Sequence, residues 1–116
     1  MAAMSGYGYW AATEKSTARY VGDVGFADFK REIEPSLKDV PEIGWVLASW
    51  SHGMGYPTEA AQGAIRWLEG ALGPQRTVCI IDDKNRASIR VAEKVGYREF
   101  ARTEYKSAPV VMFERG

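Results

Sequence analysis

Cysteine and histidine are nearly missing: Cys79 and His52 are the only residues of their kinds. One thiol excludes an internal disulfide and any multi-cysteine metal site. One imidazole argues against a histidine-cluster centre, so no metal is expected. Net charge is also absent, because 15 basic residues cancel 15 acidic ones. That argues against nucleic acid or a membrane surface as a partner recruited by bulk charge. No apolar run approaches the ~20 residues of a membrane span. The opening Met1-Ala2-Ala3-Met4-Ser5-Gly6 lacks the basic and apolar regions of a secretion signal, and a cytoplasmic location follows by default.

What is present suits one ordinary globular domain over residues 1–116, with 46% apolar and 26% charged residues and with 1–6 expected to be disordered. Tyr7 to Thr13 and Arg19 to Phe29 read as a strand pair joined by the polar turn Glu14-Lys15-Ser16-Thr17. Lys30 to Pro41 is charged, carries Pro35 and Pro41, and reads as a solvated connection. Glu42 to Ala48 is almost entirely apolar after its first residue, as in a strand covered on both faces. Ala61, Ala64, Ile65, Leu68 and Leu72 recur at helical spacing, which predicts a helix over Pro57–Leu72 ended by Gly73-Pro74. Arg76 to Ile81 is a β-branched strand, Asn85 to Val95 a second helix with Gly96 as its stop, and Tyr97–Tyr105 and Ala108–Glu114 a final hairpin turning at Lys106-Ser107. The order β-β-β-α-β-α-β-β implies an α/β (α+β) fold, a mixed and mostly antiparallel sheet with helices packed on it.

The chemistry gathers at one strand–turn–helix stretch. Gly53 and Gly55 permit a tight turn, Pro57 suits the first helical turn, and the helix start offers backbone amides and a positive dipole end to a phosphate. The dinucleotide fingerprint would need glycine at 58, where the chain has Thr58, and the Gly-Lys-Ser/Thr of a triphosphate loop is missing. By itself the turn is equally a strand–helix connection with convenient glycines.

Two blocks sharpen it. His52-Gly53-Met54-Gly55-Tyr56-Pro57-Thr58-Glu59-Ala60 resembles the Arg/Gln-x-x-Gly-x-Gly/Ala motif of the GNAT superfamily of N-acetyltransferases, in the form used by its ribosomal-protein N-acetyltransferase (RimJ/RimL-type) branch. Asn85-Arg86-Ala87-Ser88-Ile89-Arg90-Val91-Ala92-Glu93-Lys94-Val95-Gly96-Tyr97 is similar to that branch's N-x-x-S-x-x-v-x-E-K-x-G-F/Y block. The strand Glu42–Leu47 leads into the first block as it does in the family, and the likeness extends over about residues 7–116.

The resemblance implies acetyl-coenzyme A as co-substrate and a primary amine as acceptor, either a protein N-terminus or a small molecule. It implies that the pyrophosphate lies on the turn formed by His52, Gly53, Met54, Gly55 and Tyr56, with Thr58 alongside. The pantetheine arm would run along the strand at Val46, Leu47 and Ala48 like an added strand. Asn85 would hold the pantetheine or simply cap the second helix. Glu42 is the candidate base, and Ser88 the candidate hydrogen-bond donor to the leaving sulfur. Many relatives place a tyrosine acid where this chain has Ala92, and the family's Arg or Gln falls in the region of Ser51 and His52. Tyr97 and Cys79 read as core, Trp67 as packing, and Trp50 lies beside the turn. Family members carry a further strand and one or two helices ahead of the strand at 7–13. Three readings of that difference stay open: a fragment, a shortened member, or a partner that completes the wall, for which a homodimer is the simplest form. A non-catalytic acyl-coenzyme A-binding module is the alternative to an enzyme.

Overall fold

The structure is a computed structural model. It describes residues 2–4, 7–13, 20–27, 32–47 and 55–116, with side chains over 22–26, 32–46 and 55–116. The elements run β1 (Ala2–Met4), β2 (Tyr7–Thr13), β3 (Tyr20–Ala27), β4 (Glu42–Leu47), α1 (Tyr56–Leu72), β5 (Thr77–Asp82), α2 (Arg86–Lys94), β6 (Arg98–Tyr105) and β7 (Ala108–Arg115). The strands form one sheet in the order β1-β2-β3-β4-β5-β7-β6. Every neighbouring pair is antiparallel except β4 and β5. The mixed, mostly antiparallel sheet with two helices is the architecture that the sequence implies, with one more strand.

The extra strand is β1. Its three residues lie inside the stretch expected to be disordered and pair with Tyr7–Tyr9. Small residues give no periodicity, and their order comes only from pairing with β2.

Helix α1 begins at Gly55, whose φ of 79° lies in the left-handed region, and Pro57 sits in its first turn. Ala61, Ala64, Ile65 and Leu68 form its buried stripe. Gly73 stops it with φ 82° while its N–H still reaches the Glu69 carbonyl at 2.9 Å. Helix α2 is capped at its start by Asn85, whose side chain accepts from the Ser88 N–H. It ends in a complete Schellman motif. Gly96 at φ 95° donates to the Glu93 carbonyl, and Tyr97 donates to that of Ala92 at 2.9 Å.

The sheet buries both faces. Against α1 and α2 it packs Val24, Phe26, Ile43, Cys79, Val111 and Phe113. Its other face buries Val78, Val110 and Met112 under Ile33 and Leu37. The segment at 30–41 is therefore more than a solvated connection: Ile33 and Leu37 are 9% and 8% exposed and close the second core. Its charged composition hides two apolar anchors four residues apart. Lys106 and Ser107, with φ 50° and 66°, turn the β6–β7 hairpin at the expected place. Among the described residues no helix is long and apolar enough to cross a membrane.

Candidate functional site

The site starts with a fault in the sheet. β4 and β5 are in parallel register at a single position, Glu42 opposite Val78, supported by the Val78 N–H donating to the Pro41 carbonyl at 3.1 Å. No further paired position follows among the described residues, whereas β4 pairs with β3 along all six of its residues. Beyond Ile43 one side of β4 therefore lacks a sheet partner. A strand edge left open inside a sheet offers backbone donors and acceptors to an extended ligand.

A cavity of about 390 Å³ lies at this opening. Trp45 and Val46 line it from β4, Gly55, Pro57 and Thr58 from the start of α1, and Asn85, Ala87 and Ser88 from the start of α2. Arg90, Val91 and Lys94 complete the wall along α2. Val46 is 70% exposed, although its strand neighbour Ile43 is only 2% exposed. Register explains the contrast. Ile43 and Trp45 lie opposite Phe26 and Val24 on the face packed against the helices, and Glu42, Gly44 and Val46 lie on the other face.

Five of the candidate binding and catalytic residues thus meet around one cavity, Val46, Gly55, Thr58, Asn85 and Ser88, with Pro57 of the same turn beside them. Tyr56 opens α1 but does not line it. Leu47 ends β4 opposite Gly22, with its side chain outside the described residues. Ala48, His52, Gly53 and Met54, with Trp50 beside them, also lie outside the described residues. Glu42 is not among the lining residues; it is 5% exposed at the closed end of the strand opening.

Asn85 accepts from the Ser88 N–H through its Oδ1 at 3.2 Å, so the plain helix-cap role holds, and the residue borders the cavity as well. The Ser88 hydroxyl has another partner: the Trp45 indole donates to its Oγ at 3.1 Å. This bond joins β4 to α2 across the top of the opening. Two contributors were missed by the sequence reading, Arg90 and Lys94, while Trp45, a candidate with Trp10, Trp50 and Trp67 for an aromatic wall, lines the cavity. The two cations follow Arg86 at i+4 and i+8, a stripe that helical spacing alone reveals. The Trp45–Ser88 contact spans 43 residues and leaves no local signal.

Cys79 and Tyr97 are core, as expected, at 2% exposure each. Burial pushes the Cys79 thiol well above its ordinary range, and the nearby Glu42 charge adds to the effect. Burial likewise raises the Tyr97 phenol, which shares a 2.6 Å hydrogen bond with Thr77 Oγ1. Neither group is suited to proton transfer or nucleophilic attack near neutrality. Among the described residues no cluster of His, Cys, Asp or Glu could hold a metal ion. A second cavity of about 340 Å³ borders α2 as well, sharing Arg90 with the first, where Arg86, Arg90 and Arg102 face Asp83, Glu93 and Glu99. Its charges largely neutralise one another; Arg102 is already paired with Glu99 at 2.8 Å.

A sheet opened between two parallel strands, facing a helix start and a second helix that carries cations, makes this an α/β protein with a free strand edge and a helix N-terminus at one cavity. The comparisons give that class a family: the Acetyltransferase (GNAT) domain profile matches residues 1–98, and the chain belongs to the GNAT acetyltransferase family. Over 112 residues it is 33% identical to the uncharacterized protein YkkB of Bacillus subtilis (strain 168), an alignment covering 95% of this chain and 63% of YkkB. The chain therefore spans less than two thirds of that relative's length. A structure from Bordetella pertussis assigned to the GNAT family superposes with a TM-score of 0.86 at 28% identity, covering 95% of this chain and 66% of its own. An aminoglycoside acetyltransferase in complex with coenzyme A shares the fold, with a TM-score of 0.77 at 15% identity over 96% of this chain and 66% of its own.

Proposed function

We propose that the protein is an N-acetyltransferase that moves an acetyl group from acetyl-coenzyme A directly to a primary amine. The observation that carries this reading is the cavity at the β4–β5 opening, where an unpaired strand edge, the start of α1 and the cations of α2 converge. Each part matches a part of the donor. The strand edge at Val46 suits the amide-bearing pantetheine arm. Amides at the start of α1, with the Thr58 hydroxyl nearby, suit the pyrophosphate. Arg90 and Lys94 suit a further phosphate.

In the transfer the neutral amine attacks the thioester carbonyl, a C–N bond forms, and the C–S bond breaks with its electron pair on sulfur. Backbone N–H groups near Val46 and Leu47 receive the developing oxyanion. Glu42 takes the amine's proton through a water. It lies on the sheet face away from α1 and α2. Ser88 lines the cavity on α2 and donates a hydrogen bond to the departing sulfur. The serine block at Asn85–Tyr97 supports placement in the ribosomal-protein acetyltransferase branch. Proteins described as ribosomal-protein acetyltransferases from Vibrio fischeri and Vibrio cholerae share the fold at 18% identity each.

A second reading, an acyl-coenzyme A-binding module without catalysis, has one observation in its favour. Ala92 is fully buried, so the position where many relatives carry a tyrosine acid offers nothing to the cavity. Calorimetric titration with acetyl-coenzyme A, followed by thiol release over a panel of amines, separates the two. Binding with thiol release and an acetylated amine supports the enzyme. Binding without release for any amine supports the module, and no binding overturns both.

A further inference from the structure

The hydrogen bond between Trp45 and Ser88 has a direction. An indole N–H only donates, so at 3.1 Å the Ser88 Oγ must be the acceptor. The Ser88 backbone N–H is engaged separately, by Asn85 Oδ1 at 3.2 Å. The hydroxyl proton of Ser88 therefore cannot point at Trp45. Both residues line the same cavity, so the direction left open to that proton includes the cavity itself.

We propose that Trp45 is a positioning residue: its indole N–H holds the Ser88 hydroxyl with the oxygen turned toward β4 and the proton turned into the cleft, ready to donate to the sulfur of bound coenzyme A. The inference rests on the donor-site reading above and adds the residue that gives Ser88 its polarity. A serine on a helix otherwise rotates freely and can turn its proton back to a backbone carbonyl one turn earlier. Accepting from Trp45 makes the oxygen more electron-poor at its hydrogen and so a better donor. In the transfer Ser88 keeps its proton. Sulfur leaves with the C–S electron pair and is held by the hydroxyl; Glu42 passes the amine's proton to solvent, and the thiolate takes one up from solvent. No oxidant or reductant enters the balance.

Trp45 also packs against the helix-side core, so a loss of activity in a Trp45 variant would be ambiguous alone. The test therefore reads the sulfur contact itself, using coenzyme A and desulfo-coenzyme A as the two probes. The full chain is titrated calorimetrically at alkaline pH, where the bound thiol is partly thiolate. The wild type should prefer coenzyme A by about tenfold, the value of one hydrogen bond to a charged group at the low end. Trp45→Phe keeps a ring in the core and should bring the ratio to about one, with desulfo-coenzyme A affinity unchanged. Ser88→Ala should do the same, and Trp45→Phe with Ser88→Ala no more than either. Ser88→Thr should restore the preference. In nuclear magnetic resonance spectra, Ser88→Ala should shift the indole N–H resonance that Trp45→Phe removes, a check that needs no ligand. If Trp45→Phe keeps the wild-type ratio while Ser88→Ala loses it, the positioning role is overturned and the donor site stands. If the wild type binds neither probe, the donor-site reading fails and takes this inference with it.

Discussion

Tyr97 and Thr77 share a buried 2.6 Å hydrogen bond that ties the residue after the α2 stop to the first residue of β5. The bond fixes the end of α2 against the strand that forms one side of the opening. Tyr97→Phe leaves the Thr77 hydroxyl buried without that partner and should cost about 1–2 kcal/mol. Thermal melts should show a fall of several degrees, and affinity for acetyl-coenzyme A should be unchanged, because neither Tyr97 nor Thr77 lines the cavity.

Two glycine substitutions should act with opposite sign. Gly70 lies inside α1 with open space where a Cβ would stand, so Gly70→Ala should stabilise by about 0.5–1 kcal/mol. Gly96 holds φ 95°, and a Cβ there would meet Arg115 Nε at 3.3 Å. That same Nε donates to the Val95 carbonyl at 3.0 Å, while Arg115 Nη1 reaches Glu69 on α1. Gly96→Ala should destabilise by about 1–2 kcal/mol through the left-handed backbone alone. Urea unfolding of both variants checks the pair.

Stability should fall in alkali, in two stages. Burial holds the Cys79 thiol, and then the Tyr97 phenol, protonated in the folded chain far above their ordinary ranges. Unfolded, they lose their protons near ~8.5 and ~10, so the stabilisation is complete below those values and declines as pH rises through them. Each group contributes a slope of about 1.4 kcal/mol per pH unit once its unfolded value is passed. Cys79→Ala should lower the whole curve and flatten its first stage, leaving the second. Denaturant midpoints from pH 7 to pH 11 would show this; an equally steep first stage in Cys79→Ala would contradict it.

The cations of α2 should act on the donor and not on the fold. Arg90 is exposed and Lys94 is exposed, both at the cavity wall. Arg90→Gln and Lys94→Gln should each weaken acetyl-coenzyme A binding by about twofold to fivefold, less at high salt, with little change in melting temperature. Unchanged affinity at low salt would remove them from the phosphate path.

The path from β4 to α2 was legible because its signals are local. Apolar runs, helical spacing at Ala61–Leu68, Gly55, Gly73, Gly96 and the Asn85 cap each mark an element within a few residues. β1 was not legible, since Ala2–Met4 become a strand only by pairing with Tyr7–Tyr9. Ile33 and Leu37 were hidden for a similar reason: two apolar residues in a charged segment have no period, and only Val78 and Met112 on the sheet give them a place. At the site, Val46, Thr58, Asn85 and Ser88 could be named in advance from their blocks. The role of Trp45 could not, because it depends on a contact between a strand and a helix far apart in sequence.

The central claim is that the β4–β5 opening receives acetyl-coenzyme A. The most direct measurement is a backbone amide titration by nuclear magnetic resonance with unlabelled acetyl-coenzyme A. The account predicts saturable shifts centred on Val46, Gly55, Thr58, Asn85 and Ser88, the residues that border the larger cavity. Shifts confined to Asp83, Arg86, Glu93, Glu99 and Arg102 around the second cavity, or no shifts at saturating ligand, would contradict it.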